Sequence, residues 1–257
     1  KLLAHDIRWQ ILLALARSDF RVEELVNQTK QPPNLISYHL KRLRLQRLVT
    51  QRRSSADGRD IYYSLNLDQF RQLYFEAGQA LHPGFSDPVN QPHLQSETLA
   101  DSPTRVLFLC THNSARSQMA EGLLRTFGGD RVEVFSAGSE PTSIHPLAIK
   151  VMARIGIDLS PHRVKHFDEF AGQTFDYIIT VCDRVREVCP VFPGDPQQIH
   201  WSFPDPAAIE GNLQTQEKGF WETAQQLKTR IELLLLMIER SRKERKGNNT
   251  IQPQLGN

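Results

Sequence analysis

The sequence predicts two folds in series: a mainly α-helical unit carrying a β-hairpin, then a three-layer α/β domain built on a parallel sheet. Three observations carry this. Helical patterns precede a hairpin signal within residues 1–82, a proline-rich polar stretch follows, and short apolar runs then alternate with helical patterns as far as residue 240. At 257 residues the chain is long enough for two domains, each with its own core.

Residues 2–16, LLAHDIRWQILLALA, place apolar groups on a broad helical face, and 22–29, VEELVNQT, predict a second helix ended by Pro32 and Pro33. A third helix is expected from Asn34 to Arg47, with Leu and Ile at helical spacing between Ser37, Tyr38, Lys41, Arg42 and Arg44. LVTQRRSS, the turn signal ADG at 56–58 and RDIYYSL then read as a hairpin with arginines near its tip. A helix over 68–81 closes the unit, so the first domain is set at 1–82. Prolines 83, 88, 92 and 103 in polar surroundings mark 83–103 as a flexible linker. Apolar runs at 106–110, 132–135 and 177–182 alternate with helical patterns at 117–127, 145–155 and 219–240. That alternation argues for βα units on a parallel sheet with helices on both faces, over 104–241. The charged, then Asn/Gln/Gly-rich 242–257 read as a disordered tail.

The formal charge of +2 conceals an asymmetry. Residues 1–82 carry 13 Lys+Arg against 8 Asp+Glu, which leaves −3 for the remainder. Three cysteines, Cys110, Cys182 and Cys189, are too few for a secreted disulfide framework and point to a reducing cytoplasm. No membrane segment is expected, because the apolar run IELLLLMI at 231–238 is interrupted by Glu232 and falls short of the ~20 residues a span needs.

Three helices and an arginine-tipped hairpin together suggest a winged helix-turn-helix, whose third helix enters the major groove of double-stranded DNA while the wing lies along the backbone. Between Asn34 and Arg59 stand Lys41, Arg42, Arg44, Arg47, Arg52, Arg53 and Arg59 against Asp57 alone, a density suited to phosphate contact. The stretch ISYHLKRLRLQRLVTQRRSSADGRDIYYSL resembles the recognition helix and wing of ArsR-type repressors. The resemblance implies a homodimer, packed through the first and last helices of the unit, on a palindromic operator. Asn34, Ser37, Tyr38 and Lys41 are then candidates for base-edge or groove contacts, Arg52, Arg53 and Arg59 for phosphates, and Arg42 for DNA contact of either kind. His39 reads as a helix-packing residue. Many members of that family sense metals through cysteines, but here FRVEELV stands where the cysteine pair would be, so no metal site is expected.

In VLFLCTHNSARSQ, a thiol ends an apolar strand and an arginine follows six positions later. A short loop running into a helix N-terminus forms a nest of N–H groups for a tetrahedral oxyanion. Thr111, His112, Asn113, Ser114, Ala115, Arg116 and Ser117 would line it. The helix dipole and Arg116 favour the Cys110 thiolate, the nucleophilic form, and Arg116 can hold two anion oxygens through its planar fork. Hydrolysis and reduction share this chemistry, so the loop leaves both open.

VLFLCTHNSARSQMAEG, FSAGSEPTSIHPLAIKVMARIGIDLSPH and WSFPDPA resemble the low-molecular-weight tyrosine phosphatase fold, specifically its arsenate-reductase branch, across 104–240. The resemblance implies arsenate or phosphate as ligand and a relay in which Cys110 is nucleophile, Cys182 second and Cys189 third. Thioredoxin, fed by NADPH and thioredoxin reductase, would be the reductant, with no bound cofactor. It also implies Asp205 as general acid. Ala207 stands where the phosphatase branch usually has an aromatic, which favours reduction. The common loop has Gly at His112 and often Cys at Ala115. Some members bind potassium through Asn, Glu, Ser and Asp. Asn113, Glu121 and Ser136 match, while an ungapped count puts Lys165 at the Asp position, which implies an ammonium in the cation's place. Two alternatives stay open: a phosphomonoesterase whose extra cysteines guard Cys110, and a regulator whose second domain only senses oxyanions or redox state.

Overall fold

The computed structural model describes residues 5–81 and 102–249, with side chains for 5–77 and 102–242. Two compact units divide mainly between Ser102 and Pro103. All but the end of the expected linker, the start of the first expected helix and residues 250–257 lie outside the described residues.

In the first unit, α1 (Asp6–Arg17), α2 (Val22–Thr29) and α3 (Pro33–Leu45) precede a hairpin of β1 (Val49–Arg53) and β2 (Ile61–Leu65), and α4 (Leu67–Leu81) follows. Ile11, Leu12 and Leu15 of α1 join Leu25 and the α3 set Ile36, Leu40 and Leu43 in one core. In α3 the spacing i, i+4, i+7 gathers those residues on one face and turns the polar residues out. Pro33 opens α3 at a position where a missing N–H costs nothing. The helix stops at Leu45, two residues before the expected Arg47. There Arg47 takes a left-handed backbone (φ 57°), and Leu48 N–H closes back onto the Leu43 carbonyl at 3.1 Å. The hairpin is antiparallel, with Val49 opposite Leu65 and Arg53 opposite Ile61. Its tip is tied by the Ser54 hydroxyl, which accepts from the N–H groups of Ala56 and Asp57.

The second unit contains β3 (Thr104–Cys110), α5 (Arg116–Gly128), β4 (Val132–Gly138), α6 (Pro146–Ala153), β5 (Tyr177–Thr180), α7 (Asp183–Glu187), β6 (Gln197–His200) and α8 (Leu213–Asn249). The sheet order is β4-β3-β5-β6, and β3 pairs in parallel with both β4 and β5. The chain leaves β3 to one side for β4 and later returns on the other side with β5. The carboxyl end of β3, which is Cys110, therefore lies where strand order reverses, the place at which open parallel sheets bind ligands. Helix α8 runs to Asn249, past the expected domain end at 241 and into the expected tail. SRKERK at 241–246 is rich in Arg, Lys and Glu, good helix formers that extend a helix already anchored by its apolar face.

Candidate active site

Strand β3 is apolar and buried along nearly its whole length, and it delivers Cys110, itself 2% exposed, to the start of loop 111–115. The loop carbonyls are turned outward. Thr111 O accepts from Glu140 N at 2.8 Å, His112 O from Thr142 N at 3.1 Å and Ser114 O from His145 N at 2.9 Å. Anchoring the carbonyls on that side aims the N–H groups the other way, into the concavity at the N-terminus of α5. Asn113 adopts a left-handed backbone (φ 48°), and its N–H donates to Cys110 Sγ at 3.1 Å. Ser117 Oγ lies 2.8 Å from the same sulfur.

Burial pushes the Cys110 thiol up, and the neighbouring Cys182 adds to this, while Arg116 and Ser117 pull the other way without cancelling it. Burial thus opposes the thiolate that the helix dipole and Arg116 were expected to favour. Sequence shows the charges but not the depth at which the sulfur is buried.

Arg116 is buried at the first position of α5. One of its nitrogens donates to Phe203 O at 3.1 Å, and the other lies 3.0 Å from Asp205 Oδ2. Asp205 also caps the single-turn 3-10 helix Pro206–Ala208, accepting from Ala207 N at 3.1 Å. Cys182 sits in the N-cap position of α7, buried, with Thr111 Oγ1 3.3 Å from its sulfur. Cys189 lies just beyond the other end of that short helix and is less buried. Desolvation raises its thiol to about 11. Cys110, Arg116, Cys182 and Asp205 thus come together at one end of the sheet, and Cys189 stands one helix length away from Cys182. His112 is half-buried, and its Nδ1 donates to the Glu140 carbonyl at 3.1 Å, which leaves the ring anchored to backbone.

The residues around the implied potassium site do not fit that ion. Lys165 Nζ, buried, lies 3.3 Å from Glu121 Oε2, and Ser136 donates to the same carboxylate oxygen. Asn113 Oδ1 is taken by Lys165 N and Gln118 Nε2, so an ammonium and N–H donors already satisfy the oxygens that a cation would need.

Three residues contribute that sequence reasoning overlooked. Gly138, at the end of β4, lies so close to the loop that a Cβ there would be 2.5 Å from Thr111 O. Gln118 and His162 support Asn113 from behind. The glycine ending FSAG was the one local signal for the first.

In the first unit, Asn34, Ser37, Tyr38, Lys41 and Arg42 are exposed along α3, whereas His39 is 2% exposed and packs inward. At the wing, Arg53 NH1 donates to Gly58 O, Arg52 donates to Arg53 O, and Arg59 pairs with Asp57 at 2.8 Å. No described helix is long and apolar enough to cross a membrane.

A family model described as bacterial regulatory protein, arsR family, matches residues 5–51. An arsenate reductase of Halalkalibacterium halodurans is 43% identical over 106 residues, 41% of this chain and 76% of that protein. One of Bacillus subtilis is 36% identical over 126 residues, 49% of this chain and 88% of that protein. Among solved structures, an arsenate reductase in the phosphate binding state aligns at 30% identity and a TM-score of 0.42, covering 52% of this chain and 98% of that one. A model described as low molecular weight phosphotyrosine protein phosphatase matches residues 105–246, more than half of the chain, which therefore belongs to that family and carries an arsR-type helix-turn-helix ahead of it.

Proposed function

We propose that the chain is a bifunctional arsenic-resistance protein in which residues 1–82 bind operator DNA as a homodimer and 104–241 reduce arsenate, joined by a linker at 83–103. The observation that carries the reductase reading is the placement of Cys182, a second buried thiol bonded to Thr111 of the oxyanion loop. Hydrolysis of a phosphoester has no use for it.

The chemistry follows from the geometry. The loop N–H groups and Arg116 hold the oxyanion, and Asp205 exchanges its ion pair with Arg116 for a place beside the departing oxygen. Cys110 sulfur attacks As(V), forming an S–As bond, while one arsenate oxygen leaves as water with the proton from Asp205. Cys182 thiolate then attacks Cys110 sulfur. The S–As electron pair passes to arsenic, arsenite departs, and a Cys110–Cys182 disulfide remains. Cys189 attacks Cys182, frees Cys110 as thiolate and leaves the Cys182–Cys189 disulfide for thioredoxin. The high Cys189 thiol fits a group that acts last, after the site has rearranged.

Arsenate-dependent oxidation of NADPH in the presence of thioredoxin and thioredoxin reductase tests this reading directly. Absence of turnover with arsenate would leave the oxyanion site as a sensor or a phosphatase. Because Lys165 fills the cation position, replacing sodium by potassium at constant ionic strength should leave that turnover unchanged. A marked rise would remove Lys165 from this role.

The exposed α3 residues Asn34, Ser37, Tyr38 and Lys41 support groove contact, with Arg42 exposed beside them, and the exposed Arg53 and Arg59 support phosphate contact along the wing, whereas Arg52, expected to join them, is half-buried with its guanidinium donating to Ser202. Trp9 (43% exposed) and Leu13 (52%) on α1 and Tyr74 (59%) on α4 leave apolar surface where a second copy would pack.

A further inference from the structure

The first unit is not one stretch of chain: besides residues up to Ser102 it takes in Ile199–Ser202, the end of β6 and the two residues after it. The turn between α1 and α2 holds that segment. Ser18 Oγ accepts from His200 N–H at 2.9 Å, and Asp19 N–H donates to the His200 carbonyl at 2.7 Å. The Asp19 carboxylate accepts from Ser202 N–H at 2.6 Å. The His200 ring lies 4.7 Å from that of Tyr62 on β2, and Asp19, Tyr62 and His200 are all buried. From the wing, Arg52 Nε donates to the Ser202 carbonyl at 3.2 Å, and another nitrogen of the same guanidinium bonds the Ser202 hydroxyl. The backbone groups of His200 and Ser202 thus find their partners inside the first unit, as buried backbone must.

Three positions after Ser202 stands Asp205, and Pro204 and Pro206 on either side of it fix the backbone there, so little slack separates the two. The carbonyl of Phe203 and the carboxylate of Asp205 hold Arg116. The stretch 202–205 is therefore bound at one end by a wing arginine and at the other by the arginine of the oxyanion loop. Each guanidinium gains by leaving. A DNA phosphate offers Arg52 a charged acceptor in place of a neutral carbonyl and hydroxyl, and the oxyanion offers Arg116 two oxygens that match its planar fork.

We propose that residues 199–205 couple operator binding to oxyanion binding, with Arg52 as the switching side chain. A DNA phosphate that draws Arg52 off Ser202 loosens the hold on Phe203 and Asp205, which eases the release of Arg116 to the oxyanion. An oxyanion that draws Arg116 away loosens the same stretch from the other end and eases the release of Arg52. Each ligand favours the other, by one factor in both directions. This rests on reading the first unit as a DNA binder and loop 111–117 as an oxyanion site, and not on arsenate being reduced.

The experiment uses the full chain, a fluorescent duplex that the chain itself selects from a random pool, and inorganic phosphate, which occupies the loop without redox chemistry. DNA affinity is measured by anisotropy with and without saturating phosphate, at an ionic strength matched with sodium chloride because duplex binding weakens with salt. Phosphate should tighten DNA binding about fivefold, the lower end of ordinary coupling. In Arg52→Ala the duplex should bind more weakly and the phosphate effect should vanish. Ser202→Ala keeps every candidate DNA contact and removes one acceptor from Arg52, so DNA binding without phosphate should tighten and the phosphate effect should shrink. Protection of Cys110 by phosphate against iodoacetamide shows that each variant is folded and its loop intact. Phosphate protection together with DNA affinity that phosphate does not change would overturn the proposal alone. So would an Arg52→Ala chain that keeps the full phosphate effect. A chain that selects no duplex, or a Cys110 that phosphate does not protect, would instead remove the readings beneath the proposal, and the proposal with them.

Discussion

Cys182→Ser is expected to abolish arsenate reduction while hydrolysis of p-nitrophenyl phosphate survives. The two reactions share their first step, attack by Cys110 on a tetrahedral oxyanion held by Arg116 and the loop N–H groups, and they diverge at the fate of the covalent intermediate. A phosphocysteine is opened by water, and no second thiol enters. A thiol-bound arsenate can be discharged as arsenite only when another sulfur attacks Cys110 and the S–As pair stays on arsenic. Serine leaves the volume and the Thr111 contact largely in place, so the oxyanion loop should keep its shape. The arsenate rate should fall on the order of a thousandfold or more, as when a member of a nucleophilic set is removed, with hydrolysis within about threefold of the parent. Parallel assays of both activities on one preparation provide the check. Equal loss of the two would mean that Cys182 supports the fold and not the relay, and the phosphatase reading would then stand.

How much of this was legible in the sequence depends on whether the partners are neighbours in the chain. Cys110 to Ser117 is contiguous, so the strand end, loop and helix start could be read directly, and the apolar run VLFL announced the buried strand. Cys182 and Asp205 lie far from the loop, and their roles came from resemblance. The sheet order that brings them to one end is a tertiary fact that no local pattern encodes. The support that Gln118 and His162 give Asn113 was not legible for the same reason: single polar residues scattered over some fifty positions look like ordinary surface. Electrostatics were half legible. Arg116 and the helix N-terminus favour the thiolate as read, yet Cys110 is driven upward because the strand buries it completely. The end of α3 and the length of α8 differ from expectation on local grounds, a left-handed Arg47 in one case and good helix formers beyond residue 241 in the other.

Gly138→Ala should cost activity far more than its small size suggests. Gly138 ends β4 opposite Cys110 in the parallel register, and its N–H donates to Lys165 O at 2.9 Å, so its backbone is held from two sides. A Cβ at this position would meet Thr111 O at 2.5 Å, Asn113 N at 2.9 Å and the Thr111 carbonyl carbon at 3.1 Å. All three are backbone atoms of the oxyanion loop, which cannot swing aside as a side-chain tip would. Either β4 or the loop must shift, and the loop is the less regular of the two. Its shift would move the Asn113 N–H away from Cys110 and turn the nest off the oxyanion. Displacement of reacting groups by about 1 Å is enough for a loss of about a hundredfold in turnover. Because the same N–H groups bind and react, inhibition by phosphate should weaken together with turnover. A variant with near-parent turnover and near-parent phosphate inhibition would show that the loop yields without moving its donors, and the close approach of Gly138 would then carry no functional weight.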